Sequence, residues 1–133
     1  MIPYSEILTA LGVDHIRLAY HYADIGDVDG YDSLLDTDVE IDAAGFLHGS
    51  GRAQVLDRAK QLVPRQNRHH IHDIIADRHR VVVVGTACTR QPEATVEFAD
   101  VFTLSRDALI LRQRRYLAVN ESSTSTHGRG IHR

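Results

Sequence analysis

The sequence of 133 residues contains one cysteine, Cys88, and no tryptophan. A disulfide within the chain is therefore excluded, and so is a zinc site made from cysteine thiolates. Cys88 lies in the run VVVVGTACTR, whose β-branched residues are typical of a buried strand. We expect an unreactive thiol there.

Positive charge is not in excess, since 15 Lys and Arg against 18 Asp and Glu give a formal net charge of −3. No basic field is available to attract phosphate backbones or anionic lipids. No stretch approaches the ~18 apolar residues of a membrane span. The N-terminus, MIPYSEIL, lacks the basic and apolar regions of a secretory signal. We predict a cytoplasmic protein without a nucleic acid or membrane partner.

No internal repeat and no inter-domain linker is visible. With 43% hydrophobic and 25% charged residues, the composition is that of a globular protein. A chain of this length forms one core, because two smaller cores would each bury too little surface. We predict a single domain over residues 1–120 and a flexible polar tail over residues 121–133.

The hydrophobic pattern of the first half predicts three helices and one short strand. Apolar side chains at three- and four-residue steps indicate a helix over residues 5–24. Asp27 is placed to cap a second short helix that runs through Leu35. A strand over residues 39–42 and a helix over residues 52–63 follow.

The second half predicts four long strands, over residues 68–77, 80–90, 94–105 and 108–120. Short polar turns between long strands indicate an antiparallel meander. Helices followed by strands give an α+β protein in which the helices cover one face of a curved sheet. Such a sheet wraps into a cone.

This order of elements and two local segments resemble the nuclear transport factor 2-like superfamily, whose fold is also called cystatin-like. The segment ADIGDVDGYDSLLDTDVEID is similar to a signature of ketosteroid isomerases and SnoaL-type polyketide cyclases. The segment FADVFTLSRDALI is similar to their penultimate strand and hairpin. The resemblance spans residues 5–120. It implies a cone-shaped barrel, in which a curved antiparallel sheet wraps about three N-terminal helices, with an interior pocket for a small apolar organic ligand.

Asp100 is the most informative residue for function. Alternation along its strand places its side chain on the same face as Phe98 and Phe102. A carboxylate among apolar neighbours is suited to give or take a proton near neutral pH. The resemblance implies the role of the aspartic acid that binds the oxyanion in ketosteroid isomerases, or of the catalytic aspartate of SnoaL-type cyclases. The alternative is an ion pair with a nearby arginine, such as Arg112 or Arg114.

Asp42 has two conflicting interpretations. Alternation along its strand puts it with Glu40 on the face opposite Val39 and Ile41, which predicts exposure to solvent. The resemblance implies instead that Asp42 is the proton-shuttling aspartate, since that residue ends the same short strand in ketosteroid isomerases. Both interpretations remain open.

Three histidines lie at the start of the first long strand, in the string RHHIHD. Alternation places His70 and His72 on one face and His69 on the other. A neutral imidazole can take and return a proton near neutral pH, and we expect His70 and Asp100 to face the same cavity. Paired histidines also suggest a metal site, but Asp73 points to the opposite face, so we predict no metal and no cofactor.

The resemblance to scytalone and bile-acid dehydratases implies a catalytic group of three residues. In those enzymes a histidine at this strand start works with a tyrosine and an aspartate from the first helix and its exit. His70 is the best match to the histidine, and Tyr22 and Asp27 match its partners. The alternatives are that Tyr22 is a core residue and that Asp27 is only a helix cap.

The tyrosine of the steroid-isomerase oxyanion hole falls on Ala19 in this chain. The adjacent Tyr20 is turned by about 100° around the helix. A true steroid isomerase is therefore disfavoured.

Together these features predict a cofactor-independent acid–base enzyme, a cyclase, dehydratase or isomerase, acting on a small apolar, polyketide- or steroid-like metabolite. Such a reaction needs a base at a C–H bond and a donor at an oxygen. One alternative is an epoxide hydrolase in which Arg90 or Arg112 partners Asp100. Another is a non-catalytic ligand-binding or dimerisation domain, whose interior would be filled by side chains.

We also predict a homodimer. The helices cover one face of the sheet, and the other face is expected to carry Val81, Val83, Ile110 and Tyr116. Such an apolar surface would be exposed to water in a monomer.

Overall fold

The computed structural model describes residues 4–62, 68–90 and 93–118. Three helices and six strands follow one another in this order: α1 (Glu6–Ile25), α2 (Val28–Asp32), β1 (Leu35–Ala43), β2 (Leu47–Ser50), α3 (Arg52–Leu62), β3 (Arg68–Asp77), β4 (Arg80–Arg90), β5 (Glu93–Leu104) and β6 (Ile110–Leu117). The predicted tail over residues 121–133 and the predicted last residue of the third helix, Val63, lie outside the described residues.

Both ends of α1 are capped by local hydrogen bonds. The Ser5 side chain accepts a hydrogen bond from the Leu8 backbone N–H, and Gly26 ends the helix with a φ of 78° that a residue without Cβ adopts freely. Asp27 then caps α2, since its Oδ1 accepts from the Gly30 N–H at 2.9 Å. The predicted first helix and the predicted cap are confirmed. The second helix ends at Asp32 rather than continuing through the start of β1.

The six strands form one sheet in the order β2-β1-β6-β5-β4-β3. Strands β3 to β6 make the predicted antiparallel meander, and β1 lies parallel to β6. β2 pairs back on β1 as a hairpin that the sequence pattern did not predict. In the described part of the chain β2 and β3 are the two edges, so the sheet is curved but is not a closed barrel.

A β-bulge in β3 reverses the alternation of its side chains. The pairing with β4 shifts between Ile71 and Asp73, and a Cβ at Gly85 of β4 would clash with the His70 carbonyl oxygen there. Because an extra residue in one strand changes which face the next side chain takes, the inward positions are His69 and Ile71 and then Ile74. Simple alternation along the whole strand, which would place His70 on the same face as Ile74, therefore does not hold in β3.

The core lies between the helices and the inner face of the sheet. Register decides which valines of β4 belong to it, since Val81 pairs with Phe102 and Val83 with Asp100, and directly paired residues share a face. Val81, Val83 and Ile110 are consequently buried, which corrects the prediction that they line the outer face. Only Tyr116 of that predicted set is exposed.

Cys88 lies on β4, as predicted, but it is half-buried there. Its Sγ accepts a long hydrogen bond from Thr95 Oγ1 at 3.7 Å. None of the described helices has the combination of length and apolar character that crossing a membrane requires.

Candidate functional site

Asp100 is fully buried at the centre of the fold, with 0% of its surface exposed. Arg115 faces it directly across β5 and β6 and donates two hydrogen bonds, Nε to Oδ1 and Nη2 to Oδ2, each of 2.8 Å. Gln113 Nε2 and the Tyr20 hydroxyl donate to Oδ2 at 3.1 and 2.5 Å. Four donors satisfy both carboxylate oxygens, which is how a buried charge is stabilised. The predicted burial of Asp100 is confirmed.

The arginine that pairs with Asp100 is not one of those the sequence pattern suggested. Arg112 is exposed and bonds Glu40 at 3.2 Å, and Arg114 lies over the exposed ring of Tyr116. Alternation along β6 sends both of these side chains outward and sends Arg115 inward. The side chain of Arg90, the other suggested partner, lies outside the described residues.

The Arg115 guanidinium is held between two aromatic rings. Its Cζ lies 4.1 Å from the ring centroid of Phe98 and 5.0 Å from that of Phe46, and its side chain is 2% exposed. A planar guanidinium packs favourably against ring faces while its edge binds a carboxylate in bidentate fashion. The Asp100 and Arg115 pair is thus fixed in position and shielded from water.

Tyr20 comes from α1 and reaches into the sheet to meet Asp100. Burial, followed by the charge of Asp100, raises the pKa of Tyr20 well above its ordinary value. The hydroxyl therefore keeps its proton and acts as a donor. Both Ala19 and Tyr20 are buried, and Tyr20 is the one of the two that bonds the carboxylate, despite its turn around the helix.

Asp24 and His69 form a second polar pair. Asp24 Oδ1 lies 2.6 Å from His69 Nδ1, and Asp24 Oδ2 accepts the His69 backbone N–H at 2.8 Å. A carboxylate on Nδ1 requires the proton there, so in the neutral ring Nε2 carries the free lone pair. The His69 side chain is 1% exposed, and Nε2 is buried with no hydrogen-bond partner among the described residues.

The two pairs meet through aromatic contacts. The His69 ring centroid lies 5.1 Å from that of Tyr20, which bonds Asp100, and 5.7 Å from that of Phe98, which lies over Arg115. We call the five ionisable residues of this region the interior polar cluster: Tyr20, Asp24, His69, Asp100 and Arg115. It combines an oriented imidazole with an ion pair and a hydroxyl in a dry environment.

All the other predicted site residues lie outside this cluster. His70 and His72 are exposed on the outer face of β3, where His72 Nε2 lies 3.2 Å from Thr86 Oγ1. The expectation that Asp100 and His70 face the same cavity is therefore wrong, because the two side chains lie on opposite faces of the sheet. The Asp42 side chain is 64% exposed, as alternation predicted and in contrast to what the family resemblance implied. Its Oδ1 lies 3.4 Å from His48 Nδ1.

Tyr22 and Asp27 lie at the exit of α1 rather than in the cluster. Asp27 is an exposed cap, and Tyr22 is a half-buried residue that packs beside Gly30. Their neighbours on the same helix, Tyr20 and Asp24, take the inward positions. The four-residue step from the buried Ile16 to Tyr20 and then to Asp24 marks one face of α1 and was the signal that could have identified them.

Three spaces lie near the cluster. An interior cavity of about 10 Å³ is bounded by Tyr20, Tyr31 and Phe46 among others. A cavity of about 30 Å³ at the end of α1 is bounded by Tyr22, Tyr31, Phe46 and apolar residues of α3. An open hollow of about 400 Å³ lies beside the β1–β2 turn and α3. The first two have room for little more than a water molecule, whereas ligand sites usually have ~300 Å³ or more.

The described residues bring together no group of three histidine, cysteine, aspartate or glutamate side chains that could hold a metal ion. The charged and polar side chains of the interior are instead bonded to each other in pairs, Asp24 with His69 and Asp100 with Arg115.

Sequence comparison identifies one family. The profile of the SnoaL-like domain matches residues 16–113, which include the whole interior polar cluster except Arg115. No functionally curated protein matches the chain.

Comparison with solved structures finds proteins that share this fold. An M. tuberculosis LEH-like epoxide hydrolase is 21% identical with a TM-score of 0.74, covering 83% of this chain and 84% of that one. SalBIII, an epoxide hydrolase/cyclase-like enzyme of pyran ring formation in the polyether salinomycin, is 18% identical with a TM-score of 0.72, covering 82% and 92%. An NTF2-like protein of unknown function from Cytophaga hutchinsonii is 10% identical with a TM-score of 0.68, covering 80% and 89%. The predicted superfamily and α+β fold are confirmed.

Proposed function

Because the chain belongs to the family of SnoaL-like domains, we propose that it is a cofactor-independent acid–base enzyme, a cyclase, dehydratase or isomerase of a small apolar, polyketide- or steroid-like metabolite. The observation that carries the proposal is the His69 imidazole. It is buried, it is oriented by Asp24 on Nδ1, and its Nε2 has no partner among the described residues.

His69 is the proposed general base. Nε2 takes a proton from a C–H bond next to a carbonyl, or from a hydroxyl, and the imidazolium that forms is stabilised by the Asp24 carboxylate at 2.6 Å. The same nitrogen then returns the proton to another atom of the substrate or of the leaving group. Cyclisation, dehydration and isomerisation all use this proton transfer.

Tyr31 is the proposed donor to the substrate oxygen. Its hydroxyl is buried and has no hydrogen-bond partner among the described residues, and burial followed by the Asp100 charge raises its pKa well above the ordinary value. A hydroxyl that keeps its proton in a dry site stabilises negative charge on a carbonyl oxygen. Asp100, whose oxygens are already satisfied by four donors, acts by positioning Tyr20 and Arg115.

Deuterium exchange into a range of candidate ketones tests this assignment. The protein is incubated in deuterium oxide with a panel of polycyclic ketones and β-hydroxyketones, and isotope uptake next to the carbonyl is followed by mass spectrometry. We expect uptake that His69→Gln lowers by ~10²–10⁴-fold. His70→Gln, which changes the exposed neighbour, is the matched control and should exchange normally. Uptake by no ketone of the panel, or equal uptake by the His69 variant, contradicts the proposal.

The buried Asp100 and Arg115 pair favours a second candidate, an epoxide hydrolase. In such an enzyme arginine and aspartate residues activate a water molecule that opens the epoxide. Terpenoid epoxides incubated in water labelled with heavy oxygen would then give labelled diols, and no ketone would exchange its protons. The two products separate the two reactions in one set of incubations.

The small interior cavities favour a third candidate, a non-catalytic binding or dimerisation domain. The interior of such a domain would stay filled, and neither ketones nor epoxides would react.

We further propose a homodimer formed by the outer face of the sheet. Exposed apolar side chains from three strands, Ile75, Val84 and Tyr116, lie on that face, because Val84 and Tyr116 both pair with Ala99 and Ile75 is on the same side of β3. A contiguous apolar surface of this kind is typical of protein interfaces.

A further inference from the structure

The three spaces near the interior polar cluster share one boundary residue, Phe46. Its side chain lines the interior cavity of about 10 Å³, the cavity of about 30 Å³ at the end of α1, and the open hollow of about 400 Å³. Tyr31 lines the first two, and Leu47 and Leu62 line the last two. The spaces are therefore neighbours that one phenyl ring helps to separate.

The same ring covers the chemical groups of the cluster. Its centroid lies 5.1 Å from that of His69 in an edge-to-face contact, and 5.0 Å from the Arg115 Cζ. Phe46 is therefore the one residue that borders all three spaces and also contacts both the imidazole and the guanidinium.

The turn that carries Phe46 borders open space at Gly45. Phe46 closes a turn in which its N–H bonds the Ala43 carbonyl at 2.9 Å, and Gly45 in that turn has a φ of 73°. A Cβ built on Gly45 would meet nothing within 4 Å, so the described residues do not crowd the turn. Phe46 itself is only half-buried, unlike the neighbouring residues Ala43 and Leu47.

Two buried polar atoms beside this ring point to a ligand. Tyr31 Oη and His69 Nε2 are both buried without a hydrogen-bond partner among the described residues. A buried polar group without a partner has lost its bonds to water with nothing in exchange, and native proteins rarely leave one in that state without a functional reason. The Tyr31 hydroxyl can donate, and His69 Nε2 can accept when the ring is neutral.

We propose that Phe46 is the gate of a single ligand channel that runs from the open hollow to His69 and Tyr31. The ligand class that fits is a flat apolar ring system with one hydroxyl or carbonyl oxygen, because the walls of the two interior cavities are mainly aliphatic and aromatic and the interior holds two unpaired polar atoms, whereas the open hollow at the entrance also carries the polar residues Arg58 and Gln61. This inference rests on the proposed function for the identity of the site, and it adds the residue that controls entry and the shape of the ligand.

Stopped-flow binding of naphthol, followed by its fluorescence, tests the gate without requiring turnover. If the ring must move before the ligand enters, the wild-type association rate is reduced by the small population of the open state. Phe46→Ala should therefore raise the association rate by about tenfold, and Phe46→Trp should lower it. Ile7→Ala, a truncation of an exposed residue on α1, is the control and should leave the rate unchanged.

An unchanged association rate in a folded Phe46→Ala protein overturns the gate, and so does a naphthol that binds neither protein. Circular dichroism checks the fold. If Phe46→Ala does not fold, the association rate is measured with Phe46→Leu, whose side chain is apolar but narrower than a phenyl ring. This rate should also exceed that of the wild type. If the association rate depends on Phe46 but no ketone exchanges deuterium, the channel is supported and the proposed activity is contradicted. If deuterium exchange depends on His69 but the association rate does not depend on Phe46, the proposed activity stands and the gate is overturned.

Discussion

The Asp100 carboxylate and the Arg115 guanidinium lie directly opposite each other on β5 and β6 and are joined by two hydrogen bonds of 2.8 Å. Both side chains are almost completely buried. Neither charge can reach water, so the stability of each depends on the other.

Removal of one member of this pair should destabilise the fold. Arg115→Met leaves a buried carboxylate without its cation, and we expect a loss of about 3–5 kcal/mol in the free energy of unfolding measured by urea denaturation. Arg114→Met, at the exposed neighbouring position, is the control and should change it by less than about 0.5 kcal/mol. Asp100→Asn would be harmless for a lone buried carboxyl, but here it leaves Arg115 unpaired and should also be destabilising. A near-neutral Arg115→Met would contradict the pairing.

The fold was largely predictable because its signals are local and repeated. Each strand from β3 to β6 shows a long extended pattern, and the caps at Ser5 and Asp27 mark helix starts. β2 was missed because its four residues, LHGS, are too few to show the alternation of a strand. Its pairing with β1 is a contact between strands, which the pattern within one strand does not reveal. The length of β1 was underestimated because its first residues, Leu35 to Asp38, do not alternate between buried and exposed positions.

The candidate site was predictable only in part, because it depends on which face a side chain takes. Asp100 was identified by simple alternation. His69 was missed in favour of His70 because the bulge after Ile71 changes the phase of β3, and a lone glycine on the partner strand, Gly85, was the weak sequence signal for it. Arg115 was missed because register across β5 and β6 cannot be read from one strand.

The Asp24 carboxylate should be required for the proposed chemistry, whereas Asp27 should not. Asp24→Asn removes the negative charge that stabilises the His69 imidazolium, and we expect deuterium exchange to fall by ~10²-fold or more. Asp27→Asn keeps a residue that caps helices well and should change neither exchange nor stability much. Comparable losses in both variants would count against the Asp24 and His69 pair as the base.

Alkaline pH should unfold the protein through its buried tyrosines. Burial, followed by the charge of Asp100, raises the pKa of both Tyr20 and Tyr31 above the value of about 10 that they have in an unfolded chain. The folded state holds these protons more tightly, so their contribution to stability is complete below about pH 10 and falls as the pH rises further.

Tyrosinate absorbance recorded together with circular dichroism measures this linkage. We expect the two residues to ionise only in the same pH range in which ellipticity is lost, and a Tyr20→Phe, Tyr31→Phe double variant to lack that part of the absorbance change. Ionisation of every tyrosine while the protein is still folded would show that the two hydroxyls are accessible to solvent.

The proposed homodimer depends on apolar contacts across the outer face of the sheet. Val84→Lys places a charge at the centre of that face and should shift the protein to a monomer of 14.9 kDa in sedimentation equilibrium. Ile7→Lys adds the same charge at an exposed position of α1 and should leave the dimer intact. A wild-type protein that sediments as a monomer at every concentration contradicts the proposal directly.

The Tyr31 hydroxyl should act as a polar anchor for ligands in the interior. It is buried, it keeps its proton because its pKa is raised, and it lacks a hydrogen-bond partner among the described residues, so a ligand oxygen can accept from it without breaking a hydrogen bond within the described part of the protein. Tyr31→Phe removes only this oxygen and keeps the ring that lines both small cavities. We expect the variant to bind naphthol about 2- to 12-fold more weakly, since a hydrogen bond of this kind contributes about 0.5–1.5 kcal/mol, while naphthalene, which has no oxygen, binds both proteins equally. Equilibrium titration of the two probes measures the difference. An equal loss for both probes would mean that the hydroxyl holds the fold rather than the ligand, and no loss for either would place the bound ring elsewhere on the protein.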